Sequence, residues 1–251
     1  MIESNVTTGQ LAFRFGNSDK TSFELFLPGE NREVCQQLQQ AAVGKINTCI
    51  YLWGQTGTGK SHLLLATCRY ATEAGRSAAY IPLAQSDEIE PALLQGLDSL
   101  DLVCVDDIDR LAGSEAWEQA LLHLYNRLRD ARHSIAIAGK TAPNSTGIHL
   151  PDLKSRLSWG LSYHLKQLDD ENKITALQRR ARNRAFELPD EVASYLINRV
   201  DRDMPTLMDM LDRIDVASLA AQRRITIPFV RTLLDELSSG HPAGPVKEHF
   251  E

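Results

Sequence analysis

Eight consecutive residues carry the strongest chemical signal in the chain. Gly54-Gln-Thr-Gly-Thr-Gly59-Lys60-Ser61 has the form G-x-x-x-x-G-K-S. Such a loop must curl its backbone around a group bearing several negative oxygens. Glycines reach conformations closed to other residues, so Gly54, Gly57 and Gly59, with Thr56 and Thr58 between them, can turn their N–H groups into one concavity. A helix opening near Lys60 adds its positive end to the same place. Lys60 is then placed to reach the β and γ phosphates, and the Ser61 hydroxyl to ligate Mg²⁺. The chemistry implied is the binding of a nucleoside di- or triphosphate with Mg²⁺. An ordinary glycine-rich turn is the plain alternative, and it does not explain why a strand precedes the loop and a helix follows it.

Two further candidates lie downstream. Leu102-Val-Cys-Val-Asp-Asp107 is an apolar strand ending in two carboxylates. In P-loop NTPases a strand-end aspartate holds Mg²⁺, directly or through water, which assigns that role to Asp106. Asp107 beside it is placed to orient an attacking water. Asp109 continues the acidic run and reads as a solvated or helix-start residue. Arg156, in Leu153-Lys-Ser-Arg-Leu-Ser-Trp-Gly160, is of a type that stabilises charge on a transferring phosphoryl group. From spacing alone, a plain surface arginine is the stronger reading.

The elements that must position these residues follow an alternation. Strands are predicted at 49–54, 78–83, 102–107, 134–139 and, more weakly, 161–168. Helices are predicted at 30–43, 61–73, 89–97 and 115–132. Short apolar runs alternating with helices mean βαβ units and a parallel sheet buried on both faces. From about residue 169 the apolar period shifts to 3.6. Helices are predicted at 169–184, 189–202, 206–223 and 227–237, with a short strand allowed near Arg224–Ile227. The domains expected are an arm at 1–22, an α/β domain at 23–168, a helical domain at 169–237 and a disordered tail at 238–251.

Composition sets the class. The chain has 251 residues, 43% hydrophobic and 24% charged, as in an ordinary globular protein. A net charge of −6 argues against a chain built mainly to coat nucleic acid. The four cysteines include no C-x-x-C pair and read as small buried hydrophobes in a reducing compartment. No secretory signal is apparent, and no apolar run approaches the roughly 20 residues that span a bilayer. The expected location is the cytoplasm, with no membrane partner. The basic run Gln178–Arg184 reads as the solvated face of a helix, with contact to DNA as the sharper alternative.

The order of segments resembles the AAA+ module of the DnaA/Hda family, whose founding member DnaA is the bacterial replication initiator. FELFLPGEN (23–31) resembles the segment leading into the nucleotide-base pocket, which brings in Phe26 and Leu27. YLWGQTGTGKSHLL (51–64) resembles the family's Walker A, including His62, and LVCVDDID (102–109) its Walker B. LPDLKSRLSWG (150–160) resembles the arginine-finger box and maps the finger onto Arg156. FELPDEVASYLINRV (186–200) and RRITIPFVRTLL (223–234) resemble parts of the lid. The resemblance implies an α/β P-loop AAA+ fold with a five-stranded parallel sheet flanked by helices, plus a small C-terminal all-α lid. It also implies ADP or ATP as cofactor.

The departures from the family are as informative. At the sensor-1 position, where the family carries a small polar or acidic residue and an Arg, this sequence reads Gly139-Lys140-Thr141. At the sensor-2 position Pro205 stands where the family has Arg. No C-terminal helix-turn-helix like that of DnaA is read, which points to the regulator branch. In the arm, Gln10-Leu-Ala-Phe-Arg-Phe15 resembles the motif by which bacterial proteins dock on the sliding clamp, with Gln10, Leu11, Phe13 and Phe15 as contacts. Alternation lets an extended peptide place every second side chain in a pocket. An apolar arm packed back on the domain is the alternative. The resemblance thus implies a regulator with weak or no ATPase of its own, which acts through Arg156 on DnaA and reaches DNA indirectly through the clamp. A head-to-tail homo-oligomer is allowed. An autonomous AAA+ ATPase that loads a helicase or remodels nucleic acid is the alternative function.

Overall fold

The computed structural model describes residues 21–84 and 90–238. The clamp-like residues Gln10, Leu11, Phe13 and Phe15, and the tail from 239 onward, lie outside the described residues. The chain divides into two units between Lys166 and Gln167.

In the first unit, β1 (Cys49–Trp53), β2 (Ala78–Pro82), β3 (Leu102–Asp106), β4 (Ser134–Gly139) and β5 (Leu161–His164) form one sheet in the order β2-β3-β4-β1-β5. Every pairing is parallel. Successive strand residues face opposite sides, so one strand feeds two cores. Tyr51, Val103, Val105, Ile135 and Ile137 pack against α3 (Glu115–Asp130) and α4 (Pro151–Trp159) on one face. Ile50, Leu52, Leu102, Cys104 and Ala136 pack against α1 (Arg32–Ala42) and α2 (Lys60–Glu73) on the other. This double burial is why the strands read as continuous apolar runs.

Two expectations for this unit change. The helix expected at 89–97 is, among the described residues, a pair of 3₁₀ turns at Pro91–Leu94 and Leu97–Ser99. Gly96 between them has φ +79°, which breaks any continuous helix. The stretch before β5, given no element from the sequence, holds helix α4, which starts with Pro151 in its first turn. The strand expected at 161–168 is limited to Leu161–His164.

The second unit is α5 (Asp170–Asn183), α6 (Asp190–Arg199), α7 (Met204–Ala221) and α8 (Ile227–Ser238). Their apolar faces meet in one core that includes Leu177, Val192, Leu196, Leu207, Leu211 and Val230. No strand forms near Arg224–Ile227. The basic run is not uniformly solvated: Arg184 is only 15% exposed and pairs with Asp212 at 2.7 Å and Asp215 at 3.1 Å on α7. Arg179 and Arg182 remain exposed. No described helix is long and apolar enough to cross a membrane.

Candidate functional site

The loop Gly54–Ser61 leaves the end of β1 and enters α2, and its glycines are there for steric reasons that can be read atom by atom. Gly54 has φ +151°, and a Cβ on it would lie 2.7 Å from the Leu165 carbonyl oxygen. Gly57 has φ +83°. Gly59, the residue before α2, has φ +90°, and its Cβ would lie 2.5 Å from a ring carbon of Phe26. Phe26 is thereby held on the loop, beside the His62 ring at 5.5 Å between centroids. His62 Nε2 also lies 2.8 Å from the Ser22 carbonyl oxygen, so it ties the preceding segment down. Leu27 is half-buried next to Phe26 in sequence.

Lys60 is buried inside the curl. Its Nζ donates to the carbonyl oxygens of Gly54 at 2.7 Å and Gln55 at 2.9 Å. Desolvation pulls its pKa below the ordinary value of 10.5, against the opposing pull of Asp106, Asp107 and Asp109. Thr58, also buried, donates its hydroxyl to the Gln55 carbonyl at 3.0 Å and braces the loop from within. Thr56 and Ser61 are exposed at the mouth.

The acidic strand end faces this loop. Asp106, the last residue of β3, is 1% exposed. Its Oδ1 accepts the Asp107 backbone N–H at 3.0 Å and its Oδ2 accepts the Tyr80 hydroxyl at 2.7 Å. Burial and Asp106 raise the pKa of that phenol, and nearby Ser61 works against them. Asp107 sits at φ +57°, half-buried. Desolvation first, then the neighbouring Asp106, raise its pKa above 3.8, while Lys60 opposes them. Ser61 and Asp106 are hard oxygen donors, and no group of three or more His, Cys, Asp or Glu among the described residues could hold a metal unaided. That donor set fits Mg²⁺, which keeps several waters and takes phosphate oxygens as ligands.

Three nearby residues were given no such place by sequence reasoning. Asp109, read as solvated, accepts the Lys140 backbone N–H on Oδ2 at 2.6 Å and fixes the turn after β4. Tyr51 donates its hydroxyl to the Thr141 carbonyl at 3.1 Å. A Cβ on Gly139 would lie 2.5 Å from that Tyr51 oxygen and 2.9 Å from Ile108. Gly139 therefore has no room for a side chain, and Lys140, the next residue of the sensor-1 segment, is exposed. The third is Tyr80, whose partner lies 26 residues away in sequence and is met only through strand register.

Arg156 is not brought to this cluster. Leu153 and Leu157 of α4 are fully buried in the core on the face opposite α2. Gly160, just after α4, is pressed against Cys49, the first residue of β1: its Cβ would lie 2.1 Å from the Cys49 carbonyl oxygen. The helix bearing Arg156 thus ends at the start of β1, whereas the phosphate loop follows that strand's end. Five strand residues separate the two by about 16 Å. Arg156 lies 4.5 Å above the Trp159 ring and its Nε is 3.4 Å from Asp152, with 18% of the side chain exposed. Trp159 is 67% exposed. Glu118, buried on α3, anchors the start of α4: it accepts the backbone N–H groups of Gly113, His149 and Leu150 at 2.8–3.1 Å. Burial raises the pKa of this carboxyl, but the three donors outweigh it and hold the pKa below the ordinary 4.5.

In the second unit, Pro205 is exposed in the first turn of α7, where a missing N–H costs nothing. Asp203 caps that turn by accepting the Thr206 N–H at 3.0 Å. Arg202, the nearest arginine to this position in sequence, is bonded to Asp170 at 3.0 Å and to Asn198 within the same unit.

Comparison with known proteins fits these two units. The bacterial DnaA ATPase domain matches residues 18–164, more than half of the chain, and the Hda lid domain matches residues 170–234. The chain belongs to the DnaA/Hda family. It is accordingly a DnaA-related protein of replication initiation with an AAA+ module and an Hda-type lid. Among solved structures, domain III of DnaA from Thermotoga maritima is similar at 22% identity and a TM-score of 0.73, over 86% of this chain and 95% of that one. AMPPCP-bound DnaA from Aquifex aeolicus gives 23% identity and 0.67, over 87% and 71%. The RuvB Holliday junction branch migration motor of Thermotoga maritima gives 17% and 0.66, over 87% and 72%. At these identities the likeness speaks for the fold.

Proposed function

We propose that this DnaA/Hda-family chain binds ADP or ATP with Mg²⁺ and regulates replication initiation by promoting ATP hydrolysis on DnaA. Support for nucleotide binding comes from the loop itself and from the related Aquifex aeolicus DnaA, which holds AMPPCP. The backbone N–H groups of Gly54–Gly59 receive the phosphates, and Lys60 exchanges its two loop carbonyls for phosphate oxygens. Phe26 and Leu27 border the base side, next to His62. Ser61 and Asp106 would hold Mg²⁺, which when bound neutralises charge on the phosphates. Pro205 stands where the family has the sensor-2 Arg, and Gly139-Lys140-Thr141 departs from the sensor-1 pattern, so intrinsic turnover is weak and the nucleotide acts as a conformational key.

The observation that carries the reading in trans is the placement of Arg156. It stands on the far face of the sheet and beside the opposite end of β1 from its own phosphate loop. An arginine there serves a neighbouring module, and one supplied in trans is worth about 10³–10⁵ in rate. Gln10, Leu11, Phe13 and Phe15 dock on the DNA-loaded sliding clamp and bring the chain to DnaA. Hydrolysis by DnaA mixed with clamp-loaded DNA and this chain tests the proposal. Arg156→Ala and Gln10→Ala should each abolish the stimulation, and undiminished stimulation by Arg156→Ala would refute the role of the arginine.

The second reading, an autonomous ATPase, is favoured by Asp107, a half-buried carboxylate of raised pKa beside Asp106. Turnover by the isolated chain, abolished by Lys60→Ala, would select it.

A further inference from the structure

The Mg²⁺ ligands expected from the sequence, Ser61 and Asp106, sit on different elements, and one side chain, Tyr80, hydrogen-bonds to Asp106 on the side of the sheet that α2 covers. Tyr80 lies on β2, whose register with β3 pairs Tyr80 with Cys104 and Pro82 with Asp106. Side chains two residues apart share a face, so Tyr80 projects on the same side of the sheet as Cys104 and Asp106. That is the side covered by α2, whose first turn carries Ser61. The phenol donates its one hydrogen to Asp106 Oδ2 at 2.7 Å.

We propose that Tyr80 is a positioning residue for the divalent cation, one that orients the Asp106 carboxylate from behind. Fixing Oδ2, while the Asp107 N–H fixes Oδ1, sets the rotation of the Asp106 carboxylate. Both oxygens keep a second acceptor site for an ion or its waters. Without the phenol, Asp106 Oδ2 would lose the one side-chain donor that reaches it across the β2–β3 register. Groups that orient metal ligands are worth roughly 10–100-fold in metal affinity.

This inference rests on the nucleotide-and-Mg²⁺ reading, and the test separates the two. Tyr80→Phe keeps the ring and removes only the hydroxyl. Binding of a fluorescent ADP analogue is titrated in EDTA and then against Mg²⁺, for the wild-type chain, Tyr80→Phe and Ser61→Ala. Tyr80→Phe should leave the EDTA affinity unchanged and weaken the apparent Mg²⁺ affinity about 10-fold or more, in the same direction as Ser61→Ala. If Ser61→Ala weakens Mg²⁺ binding and Tyr80→Phe leaves it unchanged or tightens it, the assignment of Tyr80 is overturned while the reading of the site stands. If the wild-type chain binds the analogue with no Mg²⁺ dependence, the reading falls, and the assignment falls with it.

Discussion

The phosphate loop and the Arg156 helix are both rigidly built, but from opposite materials. The loop is held by backbone: three glycines at positive φ, two carbonyls on Lys60, and strand ends on either side. Its polar groups converge on one another. Helix α4 is held from beneath, by Leu153, Leu157 and the Glu118 carboxylate, and its functional candidate, Arg156, is 18% exposed and lies over the ring of an exposed tryptophan. Under the proposed function the first is a receiving site and the second a donor surface, whose chemistry another molecule would finish. On that reading one AAA+ module keeps its own nucleotide quiet and still offers the group that hydrolyses a neighbour's.

Changes at either place should part along this line. The largest effect is expected from Arg156→Ala, which should cut stimulated hydrolysis on DnaA by about 10³. Nucleotide affinity of the chain itself, measured by calorimetry, should stay unchanged. Lys60→Ala should do the reverse to binding. It removes a cation that hydrogen-bonds to phosphate, an interaction of about 1.5–3 kcal/mol, so affinity should fall roughly 10- to 150-fold in the same calorimetric measurement.

Glu118→Ala breaks the support of the donor surface without touching either candidate. Three backbone N–H groups lose their acceptor, which should cost about 1–3 kcal/mol in denaturant unfolding. The same carboxyl gives a pH test. Its folded pKa lies below its ordinary 4.5, so the unfolded chain takes up the proton first as pH falls. Its contribution is therefore full above about pH 4.5 and is lost as pH drops through the depressed folded value. Acid unfolding of the wild type should carry this component, and the Glu118→Ala difference from wild type should shrink there. The smallest effect is expected at Asp152→Asn. An i,i+4 pair with half the carboxylate exposed contributes about 0.2–1 kcal/mol, so the melting temperature should barely move. Any change should appear in stimulated hydrolysis.

Much of the receiving site is legible in the sequence because its logic is local. The loop is eight adjacent residues, and Asp106 and Asp107 end an apolar run that a buried parallel strand requires. What escapes the sequence is met through register or through space. Tyr80 finds Asp106 across two paired strands, and Gly139 is small because Tyr51 and Ile108 fill the volume beside it. Helix α4 is missed because nine residues opened by Pro151 present too short a period. The helix expected at 89–97 fails for a local reason that was visible: Gly96 and Pro91 outweigh the apolar spacing.

The most direct test asks whose nucleotide is hydrolysed. DnaA alone is loaded with γ-labelled ATP, and this chain, carrying unlabelled ADP, is added with clamp-loaded DNA while phosphate release is followed over a single turnover. The account predicts release from the label on DnaA, lost with Arg156→Ala, and no comparable release when the label is loaded on this chain instead. Release from this chain's own nucleotide, with Arg156→Ala as active as the wild type toward DnaA, would contradict it.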